Sequence, residues 1–261
     1  TAGTFNVNLD ATVVAASGGG ISIGGARAEN IVGGVAGDAT APAELRAFLS
    51  GGSVTATGNL SVSATSAATI DATVLAGSIA FSRGGKWGLG LSGAGVETVN
   101  SVSVKIEAGL SHAPQITASS VQVTASDTAS IDATAGAAAL AIAAEKTGSG
   151  KAISIGVALA KNRIENQIVA TVSDVAALET VGDIVVAATD SPTIKATSVA
   201  IAASWASSSK TSALSLSGGG ADATNVILTT TNALLENTTA GTTARKVGTV
   251  DLDAKSTATI D

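Results

Sequence analysis

Apolar and polar residues alternate with a period of two along much of this chain. In Leu60–Ala64 and Val121–Ala125 an apolar residue fills every other position, with Ser, Gln or Thr between. Such alternation turns one set of side chains toward a buried face and the other toward solvent. In the copies aligned with the Ala-rich stretch Gly136–Ala144, large residues such as Phe81 and Trp205 alternate with small ones, and Gly and Ser recur, which disfavours a helix there. The pattern predicts strands throughout and an all-β fold.

A short phrase, in its full form Ile-Asp-Ala-Thr, returns about every sixty residues. Its anchors are Leu9, Ile70, Ile131, Ile194 and Ile260. A nearly fixed period predicts an array in which each unit buries its apolar face against its neighbours. We interpret residues 1–261 as one continuous array, a segment of a longer protein. Its units are 9–69, 70–130, 131–193 and 194–259.

The fold that suits this array is an elongated β-solenoid, or parallel β-helix, of four tandem units of about 61–66 residues. Coils of about 20 residues are common in such folds, so each unit is expected to make about three coils. At the usual strand spacing, the rod would then be about 60 Å long. The alternative is an array of long-stranded hairpins or a two-sided β-roll, since Ser78–Leu91 and Ala139–Ala160 both have a hairpin-like pattern.

Two columns emerge when the copies are aligned on their anchors. Larger side chains recur eleven residues after the anchor and predict an interior column of Phe81, Ile142 and Trp205, with Gly20 in the first copy. An asparagine also recurs, and the column is Asn30, Asn100, Asn162 and Asn225. Stacked asparagines can pass amide hydrogen bonds from one turn to the next. The alternative is that asparagine is a turn residue here.

Composition narrows the function classes. The chain has no Cys and no Met, and its aromatic residues amount to 2%. Its apolar residues, 45% of the chain, are largely Ala and Val, which predicts a narrow interior. The net charge of −6 argues against nucleic acid or an anionic membrane surface as partner. No apolar run reaches the length of a membrane helix, so membrane insertion is not expected.

Candidate chemistry is sparse. His112 is the single histidine, and there is no cysteine and no phosphate-binding loop, so we expect neither an enzyme nor a bound cofactor. Asp10, Asp71 and Asp132 share one repeat position and are weak candidates for calcium ligands. Several coils per unit would hold them apart, which favours solvent-exposed charges instead. We give Asp127 and Asp190 the same interpretation.

Several phrases of the chain resemble the repeats of giant bacterial surface proteins, the filamentous haemagglutinin-like and leukotoxin-type filamentous adhesins. They are Val121–Ala125, Ser154–Asn162, Ile164–Val172 and Gly182–Ala188. The resemblance implies an exported β-solenoid, on the cell surface or extracellular, that acts as a stalk, adhesin or biofilm-matrix filament. It carries no catalytic residue over to this chain.

The sequence therefore predicts a structural or adhesive repeat segment of a large extracellular bacterial protein, acting as a stiff stalk or a self-associating filament. Unpaired backbone groups at the ends favour end-to-end association, and variable loops suit a host or matrix surface. One alternative is a carbohydrate-binding or carbohydrate-active β-helix, which would need charged side chains along one strip. Another is an ice-binding solenoid, for which Thr55, Thr57, Thr257 and Thr259 form only isolated pairs.

Overall fold

The chain is an all-β protein, as the alternation predicts. The computed structural model describes residues 4–17, 19–34, 42–84, 87–243 and 245–261, with the backbone alone for 4–17, 84 and 87. Strands make up 78% of the structure, and the described residues form no helix. No helix long and apolar enough to cross a membrane occurs in these ranges.

The strands recur in the same order in each copy of the repeat. The first copy holds β1 (Thr4–Ser17), β2 (Gly20–Val32), β3 (Ala43–Ser50), β4 (Val54–Thr55) and β5 (Leu60–Ser66). The second holds β6 (Thr69–Gly84), β7 (Trp87–Ser111), β8 (Ile116–Ala118) and β9 (Val121–Asp127). The third holds β10 (Ser130–Glu145), β11 (Ser149–Ser173), β12 (Leu178–Thr180) and β13 (Ile184–Asp190). The last strands are β14 (Thr193–Ser208), β15 (Ala213–Glu236), β16 (Val250–Ser256) and β17 (Thr259–Ile260).

Equivalent strands of successive copies pair in parallel and build four stacked sheets. Sheet A has the order β1-β6-β10-β14-β17, and sheet B has the order β2-β7-β11-β15 with β3 also on β7. Sheet C is β4-β8-β12, and sheet D is β5-β9-β13-β16. Parallel strands in stacked sheets are consistent with a parallel β-helix. The hairpins of the alternative are wrong, because the two long strands of one copy lie in different sheets. Its two-sided β-roll agrees with the structure in that each copy has two long strands that face each other in two layers.

Each copy makes one turn of the stack. Ile131 lies beside Ile70 in sheet A, and Ile194 lies beside Ile131. The expectation of about three coils per copy is therefore wrong, because two strands of 16 and 25 residues take up most of each copy. Five stacked strands at about 4.8 Å give a height of about 20 Å, whereas a strand of this greater length extends about 80 Å. The molecule is broad and short, where the sequence interpretation expected a long and narrow rod.

The first copy is out of register with its predicted anchor. Phe5, and not Leu9, lies beside Ile70, while Leu9 lies beside Val74. The error is an even number of positions, and an even shift keeps every side chain on the same face of a strand, so alternation could not detect it. Asn30 nevertheless lies beside Asn100 in sheet B.

One end of the coil holds the larger core, which we call the body. Here the second half of sheet B faces sheets C and D and the start of sheet A. Its fully buried side chains include Ile70, Ile106, Ile116 and Val123. Burying a Val, Leu or Ile side chain contributes about 1.5–3 kcal/mol, so the body supplies most of the apolar stabilisation.

The other end is a thin two-layer extension, which we call the wing. Its first layer belongs to sheet A and contains β6, β10 and β14 from Val74, Ala135 and Ser198 onward. Its second layer belongs to sheet B and contains β7, β11 and β15 as far as Thr98, Ala160 and Ala223. Its interior clusters consist almost wholly of alanine. A Cβ atom on Gly156 would lie 2.9 Å from the carbonyl oxygen of Ile201, and one on Gly90 would lie 3.0 Å from that of Ile142. Glycine therefore allows the two backbones to approach closely.

Candidate functional site

The recurrent asparagines form a buried column at the boundary between wing and body. The Nδ2 atom of Asn30 donates to Oδ1 of Asn100, that of Asn100 to Asn162, and that of Asn162 to Asn225. All three distances are 2.8 Å. Each amide of the interior coils both donates and accepts, so the column fixes the register of sheet B without leaving these groups unpaired.

The predicted interior column lies on the outside of the wing. Phe81, Ile142 and Trp205 are indeed neighbours in sheet A, but Ala16 and not Gly20 continues their row. Trp205 is 58% exposed, and the other two are half-buried. The prediction is wrong because the interior of the wing accommodates only the small residues at the alternate positions. The large side chains consequently face outward.

Both outer faces of the wing are apolar. On sheet A the exposed large side chains include Leu75, Val199 and Ile201, and on sheet B they include Ile23 and Ile155. Monomeric proteins rarely expose contiguous apolar patches of this kind, and such patches commonly mark an interaction site. The sequence signal that could have found these faces was the alternation of large apolar residues with Ala, Gly and Ser instead of with charged residues.

Charged residues appear on the outer face of sheet B where the wing meets the body. Arg27 donates to Glu97 at 3.0 Å, and Lys161 donates to the same carboxylate at 2.8 Å. The hydrogen bond from Lys161 and the other contacts with these two cations lower the pKa of Glu97. Exposed pairs of this kind contribute little stability. They do mark the edge of the apolar surface.

A groove of about 610 Å³ with a mixed polar and apolar lining lies on sheet B near the body. Its lining includes Ser103, Glu165, Asn166, Gln167 and Thr230. The Oδ1 atom of Asn166 accepts from the backbone N–H of Val104, and its Nδ2 donates to Asp127. The sequence interpretation had found no such cluster of polar side chains, because its members come from three different copies of the repeat.

Two buried carboxyl groups lie behind this groove. Asp127 and Asp190 are neighbours in sheet D, between Ser66 and Ser256, and both are fully buried. Their interpretation as outward-facing charges is therefore wrong. Oδ2 of Asp127 accepts from the backbone N–H of Ala129, whereas the equivalent residue after Asp190 is Pro192, which has no N–H.

Burial raises the pKa of both carboxyl groups. For Asp190 burial is the main cause, and the negative charge of Asp127 raises its pKa further. For Asp127 burial outweighs the hydrogen bonds that favour its ionised form. Oδ1 of each residue has no hydrogen-bond partner. Two adjacent buried carboxylates disfavour their joint ionisation, so this pair makes the fold sensitive to pH.

Replacing Asp190 with asparagine should stabilise the protein at pH 7. Because the folded-state pKa lies above the ordinary value of 3.8, the native state binds more protons than the unfolded state. The free energy of unfolding therefore falls as the pH rises from about 4 through the folded-state pKa. The variant removes this loss, and we expect a gain of about 1 kcal/mol at pH 7 that shrinks toward pH 3.5.

Thermal unfolding followed by circular dichroism between pH 3.5 and pH 8 measures this effect. The matched control is Asp251→Asn, which removes an exposed carboxylate on sheet D and should not reproduce the gain at pH 7. An equal shift at every pH, or destabilisation at pH 7, would contradict the assignment.

The weak calcium candidates do not form one cluster. Asp71 and Asp132 are direct neighbours in sheet A, contrary to the expected separation by several coils, and Lys195 is next in the row. The backbone of Asp10 lies beside Leu75 and not beside Asp71, while its side chain lies outside the described residues. Within the described ranges no group of three or more acidic or histidine residues could hold a metal ion.

His112 occupies a sharp corner of the coil. Its φ of 55° is left-handed, as is that of the equivalent Asp174 at 54°. Nε2 of His112 lies 3.5 Å from Oδ2 of Asp174, and both side chains are largely exposed. Turn geometry thus explains a polar residue at this position.

Comparison with known proteins found no relative of this chain. No protein-family model matches the chain, and no curated protein sequence or solved structure resembles it significantly. The class of protein is thus defined by its own fold, an all-β chain with parallel strands in stacked sheets.

Proposed function

We propose that this chain is a structural segment of a large extracellular bacterial protein, a β-solenoid of four tandem units that serves as a stalk or self-associating filament. The observation that carries the proposal is the unbroken register of sheet B. Three strands pair over nearly their whole length, and the four asparagines connect the copies. Extension along the stack would have to break these bonds together, which makes such a segment stiff.

The asparagine column also gives the stack a direction. Among the described residues it begins at Asn30 and ends at Asn225, and every bond runs from a donor in one copy to an acceptor in the next. A second molecule added at the end of the stack would bring the Oδ1 atom of its Asn30 to the Nδ2 atom of Asn225. The terminal strand β15 offers its backbone edge to the same neighbour.

End-to-end growth can be tested by blocking that edge. We expect the chain to form fibres of increasing length with concentration in electron micrographs. Ala221→Lys with Ala223→Lys puts charges at interior positions of the edge strand and should abolish growth, because inward-pointing lysines prevent strand addition. The matched control, Asp222→Lys with Thr224→Lys, changes the outer face of the same strand and should still grow. Short particles at every concentration would contradict the filament proposal.

A second function, carbohydrate binding, is favoured by the polar side chains in the groove on sheet B. Glu165, Gln167 and Thr230 present carboxylate, amide and hydroxyl groups to one open surface. Such groups suit the hydroxyls of a sugar. A glycan array with the wild type and the Gln167→Ala variant tests it, and the absence of any bound glycan would rule against this function.

A further inference from the structure

The outer face of the wing on sheet A has the properties of an interface. Ile201 and Trp205 are 60% and 58% exposed, and Leu75, Ile79 and Val199 are exposed beside them. Among the side chains that the structure describes on this face, charged ones occur only at its two ends. They are Asp71, Asp132, Lys195 and Asp261 near the body and Arg83 at the tip. On β6, β10 and β14 the face between them is continuous and apolar.

The same face contains both hollows and projections. Two adjoining hollows of about 310 and 440 Å³ have small residues such as Gly77, Gly136 and Ala138 in their lining. Ile201 borders both hollows, and Trp205 projects beyond them. A two-fold contact with antiparallel strands places each strand opposite the same strand of the partner, so Ile201 of one copy meets Ile201 of the other at the centre of the face.

The size of the face suits a weak, specific pair. Residues 73–83 of β6 extend about 36 Å, and β6, β10 and β14, each about 4.8 Å wide, cover about 14 Å, which gives about 500 Å² on each partner. The pair would bury about 1,000 Å² in total, which is the lower bound for a specific interface.

The charges at the two ends of the face set the orientation. With the strands of two copies running in opposite directions, Asp71 of one molecule lies near Arg83 of the other, and Asp132 near the tip residue Lys146. Opposite charges at both ends favour this orientation. The two aspartates would be repelled by an anionic lipid surface, which favours a protein partner.

We propose that the wing is an interface between two copies of this chain, packed face to face through sheet A with their strands antiparallel. This lateral contact is distinct from end-to-end growth, because it uses the face of a sheet and not a strand edge. Two-sheet packing of dry, interdigitated side chains is the geometry of a steric zipper. Together the two contacts would convert single stacks into paired ones.

Sedimentation of the full chain tests the interface with a matched pair of variants. Ile201→Glu and Ile155→Glu alter similarly exposed isoleucines on opposite faces of the wing. We expect Ile201→Glu to raise the dissociation constant of the pair at least about 100-fold, because two charges would be buried. Ile155→Glu should leave it unchanged. Circular dichroism establishes that both variants are folded.

A charge reversal tests the orientation. Asp71→Arg and Arg83→Asp should each weaken the pair, and the double variant should restore it if the two positions meet across the interface. These variants are made in a protein that also carries Ala221→Lys and Ala223→Lys, which prevent end-to-end growth. Sedimentation then reports lateral pairing alone, so a failure of pairing is distinguished from a failure of filament growth. The proposal would be overturned if the Ala221→Lys and Ala223→Lys protein, with an unchanged wing, stayed monomeric. It would also be overturned if Ile155→Glu abolished pairing and Ile201→Glu did not. Co-sedimentation with neutral lipid vesicles in place of pairing would also overturn it, in favour of a lipid partner.

Discussion

Replacing Asn162 with alanine should lower the free energy of unfolding by about 2–5 kcal/mol. Asn162 is 2% exposed, and its side chain is hydrogen-bonded to the copies on both sides. Its removal leaves the Nδ2 of Asn100 and the Oδ1 of Asn225 without their partners, and a buried unpaired polar group costs about 1–3 kcal/mol. Both bonds are lost at once, which is the reason for the large expected effect.

Urea denaturation measures the change, with Gln167→Ala as the control. Gln167 lies on the same strand and carries an amide, but its side chain is exposed. We therefore expect the control to change the free energy of unfolding by less than about 0.5 kcal/mol. Asn162→Asp is a second informative variant, since it keeps the shape but removes the donor and adds a charge. Similar stabilities for Asn162→Ala and Gln167→Ala would show that the column carries no special energy.

Replacing Gly156 with valine should separate the two layers of the wing. The added Cβ atom would lie 2.9 Å from the backbone oxygen of Ile201, which cannot move aside as a flexible side chain can. Overpacking of this kind costs about 1–3 kcal/mol. Because the core of the body lies elsewhere, we expect local loosening of the wing and retention of the body.

Hydrogen exchange followed by mass spectrometry distinguishes these two regions. Faster exchange in β10, β11 and β14 within the wing, with unchanged protection around Ile106 and Ile168 in the body, is the expected result. Gly95→Val is the matched control, because a Cβ atom there meets nothing within 4 Å. If both variants exchange alike, the close approach of the sheets does not limit the residue at position 156.

The two regions of the coil differ in which side chains they bury. The body has Ile, Leu and Val inside and ion pairs outside. The wing reverses this arrangement, with alanine inside and large apolar residues outside. Such a surface contributes little to the fold of a single molecule. It is the surface on which the proposed pairing depends.

Much of the fold could be predicted from local pattern. Period-two alternation indicates strands whatever surrounds them, and the recurrence of Ile70, Ile131 and Ile194 indicates that equivalent segments lie side by side. The recurrence of asparagine at a nearly constant offset pointed to a column, and hydrogen bonds connect its four members. These features depend only on residues close in sequence or on the repeat itself.

The candidate site could not be predicted from the sequence, because its residues come together only through contacts between copies. Asp127 and Asp190 follow an alternating strand and look like solvent-exposed turn residues, yet the coil closes over them. The groove that holds Glu165 and Thr230 is assembled from four copies. No pattern within one copy shows that such residues are neighbours.

By itself the sequence determined the strand content, the repeat and the absence of bulky residues at alternate positions. Only the tertiary structure decided how many coils each copy makes and which face of the wing is inside. Alternation separates two faces of a strand, but it identifies the buried one only when the other is polar. In the wing neither face is charged over most of its length, so the spacing between the sheets decides. Close approach of the backbones leaves room for Ala141 inside, and Ile142 and Trp205 are left facing outward.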